Sequence, residues 1–300
     1  MPADFPEQAE FCITIDFQKQ SESPARVFRA MTGLIEAFQE IDRELVRSVD
    51  LKIEPVLLLE DVETGSLKAW LRTQLVTQDD NDIKNLNWKP VVGRYLVKAK
   101  YLMVNFLSDK TEISDRAQLQ GLQRDLLQAA EETNMKSIPA YAPLAMPKLV
   151  TGIEKISTAL MPLGRQDSAT YITQYNQTNF NLEFNIAPER IEQLLTKESI
   201  VNEAEMILKV KRPDYLGDAM WDFRFESRTI QAKVVDEEWL GRFQSREVDV
   251  RPGDALRARI QIEVEYGYDG EVVAVHHRIL KVISVIALQE PGQQPLLPAR

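Results

Sequence analysis

ALRARIQIEVEYGYDGEVVAVHHRILKVISVIAL (255–288) is the stretch that decides the fold of this chain. Ala258, Ile260, Ile262, Val264 and Tyr266 alternate there with Arg257, Arg259, Gln261, Glu263 and Glu265. Neighbouring strand residues point to opposite faces, so this period of two gives one apolar face and one charged face. GYDG carries the residues of a tight turn, and EVVAVHHRILKVISVIAL returns as the antiparallel partner.

The same texture extends upstream. In EMILKVKRPDYLGDAMWDFRFESRTIQAKVV (205–235), Trp221, Phe223 and Phe225 face one way and Asp222, Arg224 and Glu226 the other. Arg251-Pro252-Gly253-Asp254 has turn composition and enters the long hairpin. Residues 205–290 are therefore expected to form an antiparallel β-sheet or small barrel of roughly five or six strands. Residues 291–300, PGQQPLLPAR, read as a loose tail.

The N-terminal half has a different period. FCITIDF (11–17) alternates as a strand with one buried face, Phe11, Ile13, Ile15 and Phe17 on one side and Cys12, Thr14 and Asp16 on the other. After Ser23 and Pro24, an N-cap and a first-turn residue, Phe28, Met31, Leu34, Ile35, Phe38, Ile41 and Leu45 recur at helical spacing. Gly33 interrupts that pattern only locally. KIEPVLLLEDVETGSLKAWLRTQL (52–75) reads as two strands joined at Thr64 and Gly65, which makes the opening unit β-α-β-β. Helices are then expected at 88–106, around Leu119–Ala130 and around Leu149–Leu160. The expected organisation is thus an α+β domain over 1–165 with a helical second half. A connecting region follows at 166–204, with a short helix near Pro188, and then the β domain.

Composition narrows the function classes. The formal charge of −10 argues against a whole-surface attraction to nucleic acid or anionic lipid. With Cys12 as the single cysteine, there is neither an intramolecular disulfide nor a cysteine zinc cluster to expect. No run approaches the ~18 apolar residues of a membrane helix, and MPADFPEQAE lacks the character of a signal peptide. A soluble cytoplasmic protein is the expectation.

Chemistry has few places to sit. His276 and His277 are the only histidines, and as strand neighbours they point to opposite faces. One site cannot easily use both, and His276 is the one expected to meet solvent or a ligand. No G-x-S-x-G, HExxH or phosphate-binding glycine loop accompanies them, and no cofactor is implied. Glu60, Asp61 and Glu63 follow an apolar strand and are candidate catalytic or Mg²⁺-binding carboxylates. Asp79, Asp80 and Asp82 form a weaker cluster. The segment 88–106 places Lys89, Arg94, Lys98 and Lys100 among aromatic residues with no acidic one, a candidate binding surface. A helical wheel puts Val92, Tyr95, Ala99, Leu102 and Phe106 in its core stripe. Trp221 and Trp239 are candidate stacking residues, although in a barrel such rings fill the core.

The expected function is a non-catalytic interaction or regulatory protein. Its β domain serves as a recognition module and its helical middle as a surface for a protein partner or for self-association. The alternatives are a metal-dependent hydrolase or nuclease built on Glu60, Asp61 and Glu63, and a small-ligand sensor with an aromatic pocket in the β domain.

Overall fold

The computed structural model describes residues 8–18, 23–47, 53–63, 66–77, 88–134, 142–215 and 219–287. Thr64 and Gly65, the aspartates at 79, 80 and 82, and the tail at 291–300 lie outside the described residues. The fold is α+β, with two mainly antiparallel sheets of five strands each. The chain divides into two compact units, residues 1–194 and 195–300. Among the described residues no helix is long and apolar enough to cross a membrane.

In the first unit the strands are β1 (Phe11–Asp16), β2 (Ile53–Glu63), β3 (Leu67–Thr77), β4 (Ser168–Thr173) and β5 (Gln177–Asn179). They pair antiparallel in the order β2-β3-β1-β4-β5. The helices are α1 (Ala25–Arg47), α2 (Trp88–Leu107), α3 (Arg116–Glu132), α4 (Met146–Leu160) and α5 (Pro188–Leu195). The β-α-β-β opening and the helical second half are as expected. The connecting region has its short helix at Pro188, but its first part is not a linker. Ser168–Thr173 pairs directly with β1, so this polar stretch is a sheet strand whose Ala169 and Tyr171 are buried.

β1 also differs from its expected form. It is buried on both faces from Phe11 to Ile15, because Cys12 pairs with the large Trp70 of β3 and Thr14 with Lys68. Burial pushes the Cys12 thiol up to about 11. On the other face Phe11, Phe38 of α1 and Tyr171 of β4 form an aromatic cluster with centroids 5.3–6.0 Å apart. Beside it lies a buried polar group: Lys100 Nζ of α2 donates to Asp42 Oδ1 of α1 at 2.5 Å, and Thr73 Oγ1 of β3 donates to Asp42 Oδ2 at 3.0 Å. The carboxylate oxygens thus each have a donor, which is how a buried charge is tolerated. At another point Asp167, held by the Arg26 guanidinium and by the backbone amides of Gln18 and Gly164, has its carboxyl lowered to about 2.

The second unit is a closed five-stranded barrel. Its strands are β6 (Thr196–Arg212), β7 (Trp221–Phe225), β8 (Arg228–Val234), β9 (Ala255–Gly267) and β10 (Val272–Ile286), in the order β10-β8-β7-β6-β9. Only the short β8–β10 contact is parallel. The expected hairpin forms over 255–286, and its register sets Ile260 opposite Ile279 and Val264 opposite Val275, with shifts at Val272/Ala274, Ile279/Lys281 and Val282/Ser284. β6 begins well before residue 205, and its first half pairs with β9 from Thr196 onward. A sequence such as KESIVNEAE shows no one-sided apolar alternation, since most of it is exposed. α6 (Glu237–Gln244) fills the barrel with Trp239 and Phe243. Asp236 caps α6 through the Trp239 amide and accepts from the Val282 amide of β10, tying the helix to the wall.

Candidate functional site

α2 has a core face and a cleft face. Leu96, Ala99, Met103 and Leu107 are buried, and Lys100 lies among them. Leu102 and Phe106, expected in the core stripe, are only half-buried. On the other face, Gly93, Arg94, Val97, Lys98 and Tyr101 follow helical spacing and line a cleft of about 470 Å³. The turn between β4 and β5 supplies further lining through Thr173 and Tyr175, and α3 contributes through its C-cap residue Thr133. That turn is held by its own bonds: Thr173 N donates to Asn176 O at 2.7 Å, and Asn176 N donates to Thr173 Oγ1 at 2.9 Å. Tyr175 stands out from it, 85% exposed.

Glu10, just before β1, completes the lining. Its Oε2 accepts from the Thr73 amide at 3.0 Å. Burial raises its carboxyl above the ordinary value, and the amide bond and the nearby Lys100 charge oppose that rise. Lys98 is paired with Glu132 of α3. Arg94 is exposed and, among the described residues, has no carboxylate within ion-pair range. The cleft therefore offers apolar wall, one available guanidinium, an aromatic rim and one half-buried carboxyl. It has no cysteine or histidine in its lining. Such a lining presents apolar surface beside a cation, the usual composition of a recognition cleft.

The structure thus brings together two of the four basic residues of 88–106. Lys89 lies outside the cleft, 5.7 Å from the ring of Trp88. Lys100 is 0% exposed and is a core ion-pair residue, so it is no part of a binding surface. Glu10, Thr133, Thr173 and Tyr175 had no local signal, because three segments far from α2 in the chain deliver them.

Glu60, Asp61 and Glu63 are held apart by different partners. Glu60 accepts from Arg72 Nε at 2.9 Å, and Asp61 from the Val62 amide at 2.7 Å. Glu63 accepts from Lys68 Nζ at 2.7 Å and Trp70 Nε1 at 2.8 Å, bonds that lower its carboxyl below the ordinary range. A bulge at Leu59/Asp61 further breaks the alternation. Among the described residues the three do not present ligand atoms to one common ion.

The histidines occupy opposite faces of β10. His277 pairs with Ile262, and burial lowers its imidazole below the ordinary value. His276 pairs with Glu263, and its Nε2 lies 3.5 Å from Glu265 Oε1. Trp221 and Trp239 are buried, packed on each other at 5.9 Å and on Phe243. They are barrel core, so neither presents a ring face to solvent as a stacking platform.

No protein-family model matches this chain, and no curated protein resembles it significantly in sequence.

Proposed function

We propose that the protein is a non-catalytic, regulatory interaction protein of the cytoplasm, and that the α2 cleft is the surface on which a protein partner or a second copy is recognised. The single observation that supports this reading is the lining itself: an apolar wall of Val97, Tyr101 and Leu102 with Arg94 unneutralised at its side. An extended peptide segment with an apolar side chain beside an acidic one complements that surface. The apolar group enters the wall and the carboxylate meets the guanidinium.

Peptide display against the purified chain tests the reading. Segments pairing an acidic with an apolar residue should be enriched on the unaltered protein and lost on an Arg94→Glu, Tyr101→Ala variant. Enrichment that is the same on both would sink it. A light-scattering mass measurement on the same sample separates the partner from the self-association form.

A further inference from the structure

A second surface lies on the outside of the barrel. Four strands there set one residue each in a row: Ala255 of β9, Lys209 of β6, Arg224 of β7 and Thr229 of β8. Lys209, Arg224 and Thr229 are exposed, while Leu208, Val210 and Phe223 point into the core. A register shift between Val210 and Arg212 leaves Lys211 outside the β6–β7 pairing, and it lines the same hollow as Lys209. Three cations therefore crowd one face of a protein whose net charge is −10.

Several other exposed cations of the barrel are paired with carboxylates. Arg212 meets Asp222, Arg257 meets Glu205 and Arg278 meets Glu263. Lys209 and Arg224 instead sit directly opposite each other, and like charges so placed on adjacent strands repel. Among the described residues no carboxylate pairs with Lys209 or Lys211. Arg224 Nε donates to the Glu226 carbonyl at 3.2 Å, which fixes the plane of its guanidinium.

Hollows flank this pair on two sides. The smaller, about 380 Å³, adds Lys211, the hydroxyls of Ser227 and Thr229, and the turn at Pro252 and Gly253. Gly253 has φ of +106°, a conformation that favours glycine. The larger hollow, about 710 Å³, adds Ile207, Ala255, Ile286 and Ala287, with Glu226 the one acidic residue in either lining. One hollow thus presents cations and hydroxyl donors, and the other presents aliphatic surface.

We propose that this surface binds a phosphorylated small molecule with an apolar body. The phosphate oxygens accept from Lys209, Lys211 and Arg224 and from the two hydroxyls. The body lies along Ile207 and Ile286. A bound dianion would cancel the Lys209–Arg224 repulsion, which the bare surface leaves uncompensated. The site is built wholly from residues of the barrel and does not depend on the α2 cleft.

The test titrates the full chain, by calorimetry, with inorganic pyrophosphate, with ADP, and with phosphatidylcholine vesicles with and without phosphatidic acid. Pyrophosphate should bind, and a Lys209→Ala, Arg224→Ala variant should bind it at least about tenfold more weakly, the scale of one lost charge-assisted bond. Lys281→Ala, which removes an exposed charge from β10, should leave the affinity unchanged. The double variant should melt no lower than the original, because it relieves repulsion, so weaker binding would not reflect unfolding. Tighter binding of ADP than of pyrophosphate would identify a soluble phosphate ester; tighter binding of the phosphatidic acid vesicles would identify a lipid headgroup. No binding by any probe, or an equal loss in Lys281→Ala, overturns the site. Pyrophosphate binding with no gain from either body overturns the role given to Ile207 and Ile286.

Discussion

Lys100 shows how much one side chain can depend on its surroundings. The sequence places it in a basic, aromatic run, and its neighbours Lys89 and Arg94 are indeed exposed. Helical phase puts Lys100 instead among Leu96, Met103 and Leu107, where its ammonium meets Asp42 and lies 4.9 Å from the Phe11 ring centroid. Removing one partner of a buried pair leaves the other charge without compensation, and that loss outweighs any gain in apolar packing. Lys100→Met should therefore destabilise the protein by about 3–5 kcal/mol in urea unfolding. A Lys100→Met, Asp42→Leu double variant should recover a substantial part of that loss, since both charges are then gone. If the single variant proves as stable as the original protein, Asp42 is not buried as described.

At the scale of elements, the α1–α4 contact is set by a glycine that the helical pattern treated as a minor interruption. A Cβ on Gly33 would lie 2.9 Å from the Ala159 Cβ and 3.1 Å from its Cα, so the two backbones meet there. Replacing glycine in a helix gains about 1 kcal/mol of propensity. Overpacking a tight contact costs about 1–3 kcal/mol, and a side chain larger than alanine takes the upper end. Gly33→Leu should thus lower the melting temperature despite being the better helix former, and an increase would mean that α1 and α4 pack less closely. Other elements were hidden from sequence for related reasons. α6 reads as a charged segment, because only Trp239 and Phe243 of its eight residues are buried. The first half of β6 is exposed on both faces, so pairing with β9, and not burial, makes it a strand.

On the scale of the whole molecule, the barrel holds its own core around Trp221, Phe223, Ile260 and Ile279. Phe223→Ala should cost about 3–5 kcal/mol, the usual penalty for emptying such a site. Hydrogen exchange should show faster opening of β7 and β9 amides while β1 and α1 keep their protection. Loss of protection in both units together would mean that they unfold as one. The sequence by itself determined the α+β class, the β-α-β-β opening, the main hairpin, and the splitting of the two histidines. Each of these follows from a local period of two or 3.6 residues, which requires no knowledge of what packs where. Only the tertiary structure decided that Ser168–Thr173 belongs to the first sheet, that the five β strands of the second unit close into a barrel, and that Glu60, Asp61 and Glu63 are separately engaged. It alone also placed Glu10 and Tyr175 beside Arg94, and Lys209 opposite Arg224. Strand pairing and clefts join residues far apart in the chain, and a local pattern carries no information about its distant partner.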